Sequence, residues 1–178
     1  PDPLELGKVV AEMYPRKVSA GELNRSIATI LGEPKVYLAM ITMILAQMVM
    51  IMVMVITGLH MKEHQHTLGN ISLVYSIHAV GMFGFSIFSG RLTDRFGRGW
   101  VILSGAFTLA LACFAASLSP HLMPLSVSLF LLGIGWNFCF IGGSALLADQ
   151  LLPLERARIQ GINDFFFGIG STLGSLGS

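Results

Sequence analysis

Between Val36 and Gly58 the chain runs for 23 residues without a charged side chain, VYLAMITMILAQMVMIMVMVITG. A helix needs about 20 such residues to cross the hydrocarbon core of a bilayer, at about 1.5 Å of rise per residue. Comparable runs follow from Leu68 to Gly90, interrupted only by His78, from Trp100 to Ser119, and from about Met123 to Ala148. A fifth begins near Ile159 and reaches Ser178. The runs are continuous rather than alternating with period two, which selects helices over barrel strands. The expected fold is therefore an all-α membrane bundle of about five spans, 36–58, 68–90, 100–119, 123–148 and 159–178, the last one cut short.

Composition agrees. Hydrophobic residues make up 53% of the 178 and charged residues 12%, about half the charge of a soluble domain, and the mean hydropathy is +0.72. A net charge of +1 supplies no basic field for phosphates, so nucleic acid is not an expected partner; membrane lipid is. Cys113 and Cys139 both lie inside apolar runs and imply no disulfide framework. The first 35 residues lack a signal-peptide pattern. With its Pro-Asp-Pro start and Gly/Ser-rich end, the chain reads as an interior piece of something longer.

The basic residues set an orientation. Lys8, Arg16, Lys17, Arg25 and Lys35 precede the first run, Arg91, Arg95 and Arg98 separate the second and third, and Arg156 and Arg158 separate the fourth and fifth. Alternating topology puts all of these on one side and Lys62 alone on the other. The positive-inside rule then makes residues 1–35 and the loops 90–99 and 149–158 cytoplasmic, with a plasma (bacterial inner) membrane as the expected location. Residues 1–35 read as a connector with short amphipathic helices. Leu6, Val9, Val10 and Met13 recur at helical spacing, as do Leu23, Ile27, Ile30 and Leu31, and Ser19 with Glu22 forms a capping-box pattern.

One turn departs from simple anchoring. GRLTDRFGR, residues 90 to 98, carries Arg91, Asp94, Arg95 and Arg98 between Gly90 and Gly97. It resembles the G-x-L-x-D-R-x-G-R signature of the major facilitator superfamily of secondary transporters, matched at Gly90, Leu92, Asp94, Arg95, Gly97 and Arg98. Gly99 stands where that family often has another basic residue. The stretch ALLADQLLPLERARIQG, Ala145 to Gly161, resembles the turn found two spans later in each half of the family, matched at Asp149, Pro153, Glu155, Arg156 and Gly161. The resemblance implies twelve spans in two halves built from inverted repeats. The charged lead-in suits the connector between halves, which makes these spans the seventh to eleventh, with the first to fifth as the alternative, and makes the other half a required partner. It also implies an Asp94–Arg98–Asp149 cluster that locks the second and fourth spans together at the inner face. Such a cluster would act as a gate, with Asp94 facing a helix N-terminus in the other half. The competing reading is plain topological anchoring by arginine.

Polar groups within spans are costly and face a bundle interior or a water-filled cavity. Gln47, His78 and Asn137 fall near the bilayer midplane on the first, second and fourth spans, positions that line the central cavity in the resembling family. Each is either a substrate contact or an interhelical tie, and His78 is either a core imidazole or a substrate or proton ligand. Asp164, a turn or two inside the fifth span, either pairs with Arg156 or Arg158 or couples protons. Trp136 and Phe165 to Phe167 either stack on substrate or pack in core and lipid. The turn HMKEHQHTLG carries His60, His64 and His66; a solvated loop is the expected reading, a surface metal site the alternative. Gly170 with Gly174, Gly81 with Gly84, Gly133 with Gly135 and Gly142 with Gly143 mark close helix contacts, which suit either a rocking carrier or a rigid bundle.

The function expected from these features is secondary active transport of a small solute by alternating access, proton- or ion-coupled, with drug or metabolite efflux among the family's roles. No G-x-x-x-x-G-K-[ST] loop, H-E-x-x-H motif or nucleophile–base pair occurs in the sequence. Neither a cofactor nor an enzymatic activity is therefore expected. A non-transporting membrane receptor or scaffold is the alternative.

Overall fold

The computed structural model describes residues 25–178. A short helix, α1 (Ile27–Leu31), leads into α2 (Pro34–Glu63), α3 (Leu68–Phe83), α4 (Ser86–Phe96), α5 (Arg98–Ala116), α6 (Leu122–Gln150) and α7 (Pro153–Leu176). The expected helix around Leu6 to Met13 and the Ser19/Glu22 cap lie outside the described residues. Within them, α1 starts at Ser26, whose hydroxyl accepts the Thr29 amide at 3.1 Å, satisfying one of the orphan donors of a helix start.

Helix α2 extends past both ends of the hydropathy run. Pro34 opens it, where the missing N–H has no partner to lose. His60 and Lys62 extend its last turn, where positive charge suits the dipole. Among the described residues, four stretches are long and apolar enough to span a membrane: Pro34–Glu63, Leu68–Phe96, Arg98–Ala116 and Leu122–Gln150. The expected fifth span differs. Helix α7 starts at Pro153, six residues before the apolar run, and Glu155, Arg156, Arg158 and Asp164 load its first half with charge.

Helix α6 is the hub. Helices α2, α3, α4 and α5 all pack on it, and α7 packs on α2. That is why α6 is apolar, with buried residues from Leu125 to Leu147 over more than half of its circumference and Val127 on the side left exposed. Glycines set the spacing. A Cβ on Gly133 would lie 2.5 Å from the His78 carbonyl oxygen, and one on Gly135 would lie 2.8 Å from the Leu109 amide. The backbones of α3 and α5 thus touch α6 on opposite sides, the close approach that small residues permit in membranes. Gly170 and Gly174 do the same for α7 against Ile44 and Met48 of α2.

The second span is not one uninterrupted helix. It breaks at Gly84–Phe85 and resumes as α4. The cause lies on α6: Asn137 Nδ2 donates to the Met82 carbonyl at 2.5 Å and to Ser86 Oγ at 3.1 Å. In a continuous helix that carbonyl would accept the amide of residue 86. Ser89 Oγ in turn donates to Asn137 Oδ1. A side chain inserted into the i→i−4 ladder is a recognised origin of kinks.

Candidate functional site

The charges gather at one end of the bundle, where α4 ends, α5 and α7 begin and α6 ends. Gly97 makes the turn between α4 and α5 with φ +89° and ψ 154°, a conformation that a Cβ disfavours. This turn places Arg98 at the first position of α5. Its Nε donates to Asp149 Oδ2 at 2.8 Å, and its Nη1 lies 3.6 Å from Asp94 Oδ1. Nη1 also donates to the Thr93 carbonyl at 3.3 Å, so one guanidinium joins the ends of α4, α5 and α6. The three groups named together from the sequence do meet in space.

The other signature positions are placed differently. Arg95 is exposed and lies over the Phe96 ring, 5.5 Å from its centroid. Leu92 sits half-buried beside Phe96 and Trp100. A Cβ on Gly90 would meet nothing within 4 Å, so no packing inside these helices demands glycine there. Arg156 is exposed, and its contact is a 3.5 Å approach to the Ala148 carbonyl.

Glu155, one residue earlier, is the group that carries the second turn. Both its oxygens face Arg25: Nε donates to Oε1 at 2.9 Å and Nη2 to Oε2 at 2.5 Å. Arg25 Nη2 also donates to the Gln150 carbonyl at 3.1 Å, and its Nη1 lies 3.4 Å from Glu33. The fork matches a carboxylate bidentately. Glu155 closes the start of α7 as well, accepting the Leu152 amide at 2.9 Å. The Arg25 guanidinium, by hydrogen bond above all, holds the Glu155 carboxyl below its ordinary range against the opposing effect of burial. Sequence reasoning did not single out Arg25, because 130 residues separate the partners. Glu155 at the third position after Leu152 was the available signal.

The midplane candidates do not converge on one open site. Gln47 is buried between helices, accepting from Trp136 Nε1 at 2.8 Å and donating to Ser171 Oγ at 2.9 Å. Trp136 stacks on Phe140, with ring centroids 4.8 Å apart. His78 is buried, its Nδ1 donating to the Leu129 carbonyl at 2.8 Å, and its Nε2 has no partner among the described residues. Asn137 sits at the break in the second span. Gln47 and Asn137 are thus ties within this set of helices. Asp164 stands apart: it is exposed, and among the described residues no ion pair reaches it, from Arg156, Arg158 or elsewhere. Of the opposite turn's histidines, His64 Nδ1 bonds the His60 carbonyl and His66 Nε2 bonds the Pro120 carbonyl, each at 2.9 Å.

Comparison with known proteins places this arrangement. The sequence model of the Major Facilitator Superfamily matches residues 39–178. Two Bacillus subtilis proteins named as uncharacterized MFS-type transporters, YdeG and YddS, are each 34% identical over 98% of this chain, covering 41% and 40% of their own lengths. The riboflavin transporter RfnT of Brucella anthropi is 32% identical over 81% of the chain and 36% of its own length. The multidrug resistance protein MdtL of Klebsiella pneumoniae is 33% identical over 50% of the chain. The chain thus spans about two fifths of the length of the first two relatives. No solved structure matches it. With four apolar helices of spanning length and a family match over most of its residues, the chain is part of an integral membrane protein and belongs to the major facilitator superfamily.

Proposed function

We propose that the protein to which these residues belong is a secondary active transporter that moves a small solute by alternating access, driven by a proton or ion gradient. The Asp94–Arg98–Asp149 cluster is its gate on the cytoplasmic face. The observation that carries this reading is the single guanidinium joining three helix ends in a chain of the superfamily. The positive-inside bias supports the cytoplasmic assignment. The names of the relatives point to a metabolite such as riboflavin or to drugs as the solute class.

The energetics suit a gate better than a strut. Asp94 is 78% exposed, and an exposed ion pair contributes only about 0–1 kcal/mol to stability. A carboxylate against a helix N-terminus contributes about 0.3–1 kcal/mol, up to ~2 when partly buried. About 1 kcal/mol moves a two-state balance roughly fivefold, enough to bias a rocking carrier without freezing it. Asp94→Asn in the full-length protein should therefore keep its membrane level and melting temperature but lose at least about fivefold in transport rate. Counterflow of labelled riboflavin and of ethidium into vesicles measures this. Wild-type rates in the variant, or no counterflow of either probe by the wild type, would count against the proposal.

A further inference from the structure

Helix α2 is capped by Glu33, in the layer of ion pairs, and runs 30 residues from Pro34 to Glu63. At about 1.5 Å per residue its last turn lies about 45 Å from its first, at the far end of the bundle, and two imidazoles meet there. The His60 and His64 rings have centroids 4.2 Å apart and planes tilted by 49°. Spacing of i, i+4 puts them on one face of the helix, and the way the helix ends keeps them there. His64 is the C-cap, with φ −83° and ψ 18°, and its amide still donates to the His60 carbonyl at 3.1 Å. The Gln65 amide donates to the Lys62 carbonyl at 3.1 Å and the His66 amide to the Met61 carbonyl at 3.0 Å, the paired bonds of a Schellman closure. Gln65 takes the left-handed conformation of that closure, with φ 59°. Met61 is fully buried, so the turn that carries the pair is anchored in the core.

The three histidines here divide by what their nitrogens do. A carbonyl oxygen only accepts, so a ring nitrogen bonded to one carries a proton. His66 Nε2 donates to the Pro120 carbonyl at 2.9 Å, and that ring pins the α2–α3 turn to the α5–α6 turn. His64 Nδ1 donates to the His60 carbonyl at 2.9 Å, which leaves the lone pair of the neutral ring on Nε2. Histidines that bind metal almost always donate their other ring N–H to such an acceptor, which fixes tautomer and ring orientation together. Among the described residues no hydrogen bond occupies the His60 ring nitrogens. The charges nearby agree. Lys62 lies about 200° round the helix from His60 and Glu63 about 60° from it, and no ion pair among the described residues neutralises Glu63. The pair therefore sits beside a carboxylate and away from the ammonium.

We infer that His60 and His64 chelate a divalent transition-metal ion of the kind that imidazole suits, Zn2+, Ni2+ or Cu2+. Among the described residues no third His, Cys, Asp or Glu completes a cluster. Structural zinc sites use four protein ligands and catalytic ones three, so an ion held by two keeps water in its other positions and exchanges. It would clip the last turn of α2 shut just ahead of the α2–α3 turn. The site does not depend on the carrier reading.

The test uses the full-length protein in detergent, stripped with a chelator and free of any histidine tag, with Zn2+ alone as probe. The wild type should bind one Zn2+ more than the His60→Ala, His64→Ala double variant. Each single variant should weaken that site at least about tenfold, and His66→Ala should keep it. A second measurement needs no variant: diethyl pyrocarbonate should modify His64 of the native protein, and saturating Zn2+ should block the reaction. Equal Zn2+ binding by the wild type and the double variant would overturn the inference. So would loss of the ion in His66→Ala with retention in His60→Ala, which would place it on the turn rather than on the helix. Modification of His64 that proceeds equally with and without Zn2+ would overturn it as well.

Discussion

Asn137 shows what a single midspan amide does in an apolar bundle. Its two ends engage Met82, Ser86 and Ser89 of the broken second span, so it ties α6 to that span. Interhelical hydrogen bonds in membranes contribute about 0.6 kcal/mol each on average, and three of them sum to about 2 kcal/mol. Asn137→Leu should therefore lower the stability of the full-length protein in detergent by about that amount, read as a drop in melting temperature. An unchanged midpoint would show that the break is held by Gly84 alone. Sequence could locate Gln47, His78 and Asn137 at mid-depth but not aim them. Depth follows from counting residues along a helix, whereas direction depends on how each helix is rotated against neighbours distant in sequence. The same limit hid Arg25, whose partner Glu155 comes near only after the helices between them are packed. The Arg98–Asp149 contact was legible because the family resemblance supplied the long-range pairing that spacing could not.

At the scale of elements, hydropathy runs predicted the helices well where the chain is purely apolar and poorly where polarity and helix part company. Helix α2 outlasts its apolar run at both ends, and α7 begins in charged sequence, because backbone hydrogen bonds continue into the interface after the apolar side chains stop. The break at Gly84–Phe85 left no hydropathy signal at all. The glycines on α6 were legible as close contacts, though their partners were not. Gly133 lies against α3 backbone, with a Cβ 2.5 Å from the His78 oxygen and 2.8 Å from the Met82 amide nitrogen. Backbone cannot yield as a flexible side chain does, so Gly133→Ala should behave as overpacking and cost about 1–3 kcal/mol. Gly99→Ala is the matched control. A Cβ there meets nothing within 4 Å, and alanine is the better helix former by about 0.8–1 kcal/mol. Thermal unfolding should therefore separate the two variants in opposite directions, and equal midpoints would mean that α3 and α6 are not in backbone contact in the membrane.

At the scale of the whole molecule, the ion pairs among the described residues collect at one end and tie together segments that the sequence keeps 51 and 130 residues apart. Arg98 holds the end of α6 to the start of α5, while Arg25 holds residues 25–33 to the α6–α7 turn. The two ties differ in exposure: the side chains of Arg98 and Asp149 are 32% and 47% exposed, those of Arg25 and Glu155 23% and 12%. Screening by salt acts mainly on exposed pairs, so raising ionic strength should weaken the first tie more than the second. Acid separates them further. Because Arg25 holds the Glu155 carboxyl below its ordinary range, the folded protein binds that proton less readily than the unfolded chain. The tie thus contributes stability fully above the ordinary glutamate value of about 4.3, and that contribution is lost as pH falls from there through the lower folded value. The melting-temperature gap between wild type and Glu155→Gln should be open at neutral pH, survive high salt, and close on acidification below about pH 4. A gap that is independent of pH would mean that the Glu155 charge contributes nothing to the tie, and no gap at neutral pH would mean that a neutral amide holds residues 25–33 to the turn equally well.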